Sequence, residues 1–272
     1  MKLSHYVIQV RKMVDSQGFD KMLARYRSMG IVGADVVESD LAFDDLKGHA
    51  RSIRGAGMEF GAFVETADIV TAEGKDLERN VNLVKGYIDE LDRLGVPMIM
   101  LAPGVRSADS EEEFYAMREK MVESYGAMAD YAEGSGVKVM IENQSVPQRA
   151  DSYIRDCKYI IDRLPKVGFV LDSGNFFCVG DDVLKAYDVF RDRMVHSHIK
   201  DWEFHDYGRI IRSNMPPIRS SKMGQGLLPL DELLTRMKND GYDGSIVLEI
   251  NGLPFTSALM DQSTEYLLKF CD

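Results

Sequence analysis

The sequence predicts an α/β fold of the (β/α)8 barrel type. Eight short apolar runs rich in branched residues alternate with amphipathic helical segments from one end of the 272-residue chain to the other. Most of these runs are almost continuously hydrophobic, as parallel strands covered on both faces are. No linker, low-complexity tract or change of composition interrupts the alternation, so residues 1–272 read as one barrel domain. The competing open doubly wound sheet would carry a GxGxxG turn after its first strand, and none stands there.

In chain order, YVIQV (residues 6–10) reads as the first strand, followed by a helical segment over Phe19–Met29 that closes at Gly30. ADVVES is followed by Phe43–Gly55. EFGAFVET is followed by Leu77–Leu94, which stops at Gly95-Val96-Pro97. PMIMLAPG leads to a long helix near Glu111–Glu133, ended by Gly134 and Gly136. VKVMIEN precedes Ser152–Leu164, and VGFVLDS precedes Val183–Arg193. MVHSHIKD opens a long stretch of weak periodicity between Trp202 and Pro229, before a helix near Leu230–Asn239. SIVLEIN and a helix near Ser257–Phe270 complete the eighth unit.

The composition narrows the function classes. A hydrophobic fraction of 45% and a charged fraction of 28% describe a soluble protein with a sizeable core. No apolar run approaches the ~20 residues a membrane helix needs, and the N-terminal MKLSHYVIQVRKM lacks the unbroken core of a signal peptide. Three widely spaced cysteines read as reduced thiols of a cytoplasmic protein. A net charge of -11 argues against a nucleic-acid partner. It leaves room for an anionic small molecule, which needs only a local positive pocket.

Four consecutive strand candidates end in groups able to hold a metal. Glu142 closes VKVMIEN, Asp172 stands near the end of VGFVLDS, His196 and His198 lie in MVHSHIKD, and Glu249 ends SIVLEIN. Residues two apart on a strand share a face, so Met140 is in phase with Glu142, Val170 with Asp172, His196 with His198 and Val247 with Glu249. On neighbouring parallel strands these groups converge at the C-terminal mouth, where barrels of this type carry their chemistry. Any single carboxylate there would ordinarily cap the next helix or turn. Three in successive units with histidines between them call for a cation to offset their repulsion. Their oxygen and nitrogen donors suit one divalent ion, with manganese, cobalt, zinc, iron and magnesium all admissible. His198 lies nearer the mouth and is the expected ligand; His196, deeper, is expected as a buried hydrogen-bonded residue or a substrate contact. Lys200, Asn175, Trp202 and Arg209 are further candidates for touching substrate. Arg209 belongs to a stretch with four cationic residues (Arg209, Arg212, Arg219, Lys222) against two acidic ones, which suggests a mobile cover for an anionic or polyhydroxyl ligand.

The segments IEN, LDSGN, HSHIKD, the Gly224-Gln225-Gly226 triplet and LEI, in this order and spacing, resemble the xylose-isomerase-like TIM barrels of the sugar-phosphate isomerase/epimerase group. The resemblance spans the chain as architecture and is carried by motifs of its second half. It implies a divalent metal held by Glu142, Asp172, His198 and Glu249, with Glu142 and Glu249 doubling as the acid/base pair of a ketose 3-epimerase or inosose isomerase. Asn175 stands where those epimerases often have histidine, and Gln148 where they have a substrate-touching glutamate. The expected partner is therefore a small sugar or polyol, and whether a second copy of the chain associates is left open. A dehydratase or lyase acting on a cyclic polyol ketone or a related glycoside is the first alternative. An abasic-site endonuclease would need more histidines at the strand ends, since His5, His49 and His205 lie elsewhere. A sugar-binding module without activity is the third alternative.

Overall fold

The computed structural model describes residues 1–7, 9, 18–103, 107–212, 215–250 and 257–271. Eight parallel strands close into a barrel: β1 (Lys2–Tyr6), β2 (Gly33–Val37), β3 (Glu59–Glu65), β4 (Met98–Leu101), β5 (Lys138–Glu142), β6 (Gly168–Asp172), β7 (Met194–Ile199) and β10 (Ser245–Leu248). Each of β2–β6 pairs with its neighbours in sequence, and β10 closes the ring between β7 and β1. Between them β8 (Trp202–Arg209) and β9 (Ile218–Ser220) form a separate antiparallel pair.

Nine α-helices cover the barrel among the described residues: α1 (Phe19–Ser28), α2 (Leu46–Gly55), α3 (Gly74–Leu94), α4 (Glu111–Tyr131), α5 (Ile154–Arg163), α6 (Ser173–Val179), α7 (Val183–Phe190), α8 (Leu230–Asn239) and α9 (Ser257–Leu268). The periodicity explains their packing. Leu230, Leu233, Leu234 and Met237 of α8 recur at helical spacing, and all four are buried. Asp45 caps α2 by accepting the Gly48 N–H at 2.7 Å, and Ser110 caps α4 through the Glu113 N–H at 3.1 Å.

Three expectations from sequence are corrected. The first strand is Lys2–Tyr6, earlier than YVIQV, and the chain leaves the sheet at Val7; residues 8 and 10 of the expected strand lie outside the described residues. Polar Ser4 and His5 disguise this strand, yet they are 1% and 0% exposed and pair with β2 and β10. The stretch after Trp202 contains the β8–β9 pair in place of an irregular loop, because WEFHDYGR alternates too weakly to read as a strand. Finally, LDSGN runs directly into the short helix α6, with Asp172 as its N-cap.

Two apolar layers separate cleanly. Tyr6, Ala62, Val64, Met100, Met140, Val170 and Val247 fill the barrel interior, while a larger cluster packs between strands and helices. Register then decides what stands above that interior layer. The β6–β7 ladder begins with Phe169 opposite Met194 but continues with Val170 opposite His196, so β7 carries one extra residue, Val195. Without it Asp172 would face Ser197, which points outward; with it Asp172 pairs with His198. Gly168 makes room for the irregularity, since a Cβ there would lie 2.4 Å from Val195 Cγ2.

Candidate metal centre

At the C-terminal mouth, one step above Met140, Val170 and Val247, donor atoms of Glu142, Asp172, His198 and Glu249 lie within 4.8 Å of one another. Glu142 and Asp172 are the last residues of β5 and β6, His198 is the penultimate residue of β7, and Glu249 follows β10. Three of the four are buried, and Glu249, with its side chain 14% exposed, faces the opening.

Each carboxylate is held from behind. Asp172 divides its two oxygens: Oδ1 accepts the Asn175 N–H at 2.8 Å and caps α6, whereas Oδ2 is buried and faces the cluster. Helix capping and a place in the cluster are therefore not alternatives for this residue. Oδ2 forms a buried ion pair with Lys200 Nζ at 2.7 Å. Gln144 Nε2 donates to Glu142 Oε2 at 3.0 Å, and Glu142 Oε1 meets His198 Nδ1. Glu249 Oε2 lies 3.5 Å from the same Nδ1, and Lys200 Nζ is 2.9 Å from Glu249 Oε1. The Tyr6 hydroxyl lies against the same imidazole, 2.8 Å from Nε2 and 3.2 Å from Nδ1. Nδ1 is the nitrogen turned to the carboxylates.

The electrostatics record how crowded this charge is. Burial pushes Asp172 up to about 7, against the pull of Lys200. Burial acts the same way on Glu142, but the charge and hydrogen bond of His198 outweigh it and bring its pKa below the ordinary value. Burial would lower His198, yet Glu142 and then Glu249 raise it to about 9. Lys200 is likewise held above the ordinary lysine value, because Asp172 and Glu249 overcome its burial. Three carboxylates and one imidazole nitrogen with donor atoms within 4.8 Å of one another fit a divalent cation of the manganese, cobalt, zinc or magnesium kind.

The other residues expected from sequence divide into three groups. Lys200 and Asn175 join the cluster: the Asn175 amide donates to Asn143 O at 2.9 Å and accepts from Lys200 Nζ at 3.1 Å. His196 and Trp202 lie beneath and behind it. His196 Nε2 is 2.6 Å from Asp35 Oδ2, with both side chains fully buried, and Trp202 is 3% exposed with Nε1 donating to Gly174 O at 3.2 Å. Gln148 and Arg209 lie apart. Gln148, whose φ is 65°, lines a separate cavity of about 440 Å3 with Phe114, Tyr115, Tyr153 and Arg155. Arg209 is exposed at the end of β8. Sequence reasoning missed Tyr6, Gln144, Asn143 and Asp35. Only Gln144 left a signal, two residues beyond Glu142 and so in phase with it. Asn143 joins β5 to β6 by accepting the Asp172 N–H at 2.8 Å and donating to Asp172 O at 3.1 Å.

Comparison with known proteins adds the following. A family model described as "Xylose isomerase-like TIM barrel" matches residues 28–269. An inosose isomerase of Halalkalibacterium halodurans is 23% identical over 171 residues, which cover 61% of this chain and 57% of the relative's length. Among solved structures, the zinc-binding IOLI protein superposes with a TM-score of 0.77 at 20% identity, covering 99% of this chain and 96% of that one. D-Psicose 3-epimerase from Clostridium cellulolyticum H10, solved with D-tagatose, gives 0.72 at 15% identity over 99% and 98%. The probable 3-DHS dehydratase AsbF from Bacillus anthracis gives 0.76 at 15% identity over 100% and 99%. At these identities the structural likenesses are likenesses of fold.

Proposed function

The chain belongs to the xylose isomerase-like TIM barrel family, and from that premise we propose that it is a divalent-metal-dependent isomerase or epimerase of a ketose or inosose. The observation that carries the reading is the convergence of Glu142 and Glu249 with Asp172 and His198, because the two glutamates come from non-adjacent strands. They can therefore address opposite faces of a flat intermediate. Glu142, Asp172, His198 and Glu249 would hold the cation, whose Lewis acidity stabilises an enediolate when it is bound. In this proposal one glutamate removes the proton next to the substrate carbonyl and the other returns a proton. Return to the other face of the same carbon epimerises, and return to the adjacent carbon isomerises. The Tyr6 phenol and the Gln144 amide support the reading, because they fix His198 and Glu142 in orientation before substrate arrives. Lys200 and Asn175 border the same end, and the substrate is a small sugar or polyol handled in the cytoplasm.

Solvent-deuterium exchange tests the proposal. Purified protein given manganese and a panel of ketoses and inososes should wash deuterium into one of them. Glu142→Gln and Glu249→Gln should each lower that exchange by about a hundredfold or more, with metal content measured alongside to separate proton transfer from ligation. Unchanged exchange would remove the substituted residue from the acid/base role, and a product lighter by one water would make the enzyme a dehydratase.

A further inference from the structure

We infer that Lys200 is the resident counter-cation of this metal centre, a fixed positive charge that balances the third carboxylate and so sets how tightly a divalent ion is held. The inference rests on the metal-dependent reading above. Lys200 follows β7 directly, and its side chain is 7% exposed. Its ammonium lies 2.7 Å from Asp172 Oδ2 and 2.9 Å from Glu249 Oε1, and donates to Asn175 Oδ1 at 3.1 Å. The rest of the residue is clamped in place. The Lys200 N–H donates to Ser173 Oγ at 2.9 Å, and the Ser173 hydroxyl donates to Lys200 O at 2.9 Å.

Charge counting gives this placement a consequence. Glu142, Asp172 and Glu249 bring three negative charges into the barrel mouth. A divalent cation with His198 as neutral ligand offsets two of them and leaves one. Lys200 cancels that remainder, so the loaded centre is neutral inside a low-dielectric wall, where an uncompensated charge is costly. The same ammonium repels an incoming cation. Lysine at this position therefore trades metal affinity for neutrality, whereas a lysine serving only as structural glue would strengthen the site.

The two roles predict opposite signs. Metal-stripped wild-type protein, Lys200→Met and Lys200→Arg are titrated with manganese by calorimetry at about pH 8, where carboxylates are ionised. K200M should bind manganese tighter by on the order of tenfold or more, and K200R should bind as wild type does. Equal or weaker binding by folded K200M overturns the inference. Should K200M fail to fold, Lys200→Gln carries the test, because it removes the charge and keeps a polar side chain reaching toward Asp172 and Glu249. Its affinity should rise, and unchanged or weaker binding sinks the idea. Wild-type protein that takes up no divalent ion would instead overturn the metal reading itself, a result distinguishable from failure at Lys200 alone.

Discussion

At the residue scale the centre is organised by side chains that are not themselves candidate ligands. Tyr6 is the clearest, since its hydroxyl packs against the His198 ring, 2.8 Å from Nε2 and 3.2 Å from Nδ1, while Nδ1 meets Glu142 and Glu249. Partners of this kind commonly influence metal affinity by roughly 10–100-fold. Tyr6→Phe should therefore weaken manganese binding by about tenfold while leaving the melting temperature within a few degrees; unaltered affinity in calorimetry would show that the ring orientation is set elsewhere. The donor set was legible in the sequence because its chemistry is concentrated: carboxylates and imidazoles at the ends of apolar runs stand out against Val, Ile and Met. Their supports were not. Tyr6 and His198 are far apart in sequence, and Asn143 grips Asp172 through backbone atoms of the next strand. A tyrosine or asparagine gives no hint of such a partner until topology supplies it. The same limit explains Gln148, whose spacing from Glu142 suggested a substrate contact while its backbone turns it to another cavity.

At the scale of elements, eight strands and their helices were readable because doubly covered strands and amphipathic helices carry strong periodic signals. The segment after β7 was not, because what holds it is a single carboxylate. Asp201, 1% exposed, accepts the N–H groups of Gly224 and Gly226 on Oδ2 and those of Trp202 and Leu228 on Oδ1, at 2.9–3.2 Å. Sequence suggested a mobile cover here. Next to that cationic stretch, the Gly-Gln-Gly triplet is tied to the β7 exit, and glycine is required because a Cβ on Gly226 would lie 2.2 Å from Asp201 Oδ1. Asp201→Ala removes a charged acceptor from four donors, and hydrogen bonds to charged groups contribute about 1.5–3 kcal/mol net, less than additively when they share one acceptor group. A net loss of roughly 3 kcal/mol is expected, together with faster tryptic cleavage after Lys222. Gly226→Ala should reproduce the cleavage by crowding the same carboxylate. Cleavage at the wild-type rate in both variants would mean that the loop is held by its other contacts, such as Leu227 N–H to Trp202 O at 2.8 Å.

At the scale of the whole molecule, a closed barrel in an acidic chain must absorb buried charge outside the candidate centre, and Glu65 at the end of β3 is the chief instance. It is 1% exposed; Oε1 accepts the Ala67 N–H at 2.8 Å, while Oε2 has no hydrogen-bond partner. Burial first, and then the nearby charge of Glu38, raise it to about 7, against the Ala67 and Thr66 N–H groups that favour the ionised form. Because the folded-state value lies above the ordinary 4.5, the folded protein binds more protons than the unfolded chain between these limits. Glu65 therefore favours the fold fully below pH 4.5, and this contribution is lost as pH rises through about 7. His5 acts in the other direction: burial lowers it to about 3, so stability declines as pH falls below 6.5. The two slopes oppose each other in mildly acidic solution, and above about pH 7 both have run out, leaving the cost of the buried Glu65 charge in full. Glu65→Gln should accordingly be more stable than wild type at pH 8, by on the order of 3 kcal/mol at most. The advantage should shrink toward zero near pH 5, as measured by urea denaturation at both values. An advantage equal at the two pH values would assign the effect to packing, and a variant less stable at pH 8 would show that the buried carboxylate is held in its ionised form.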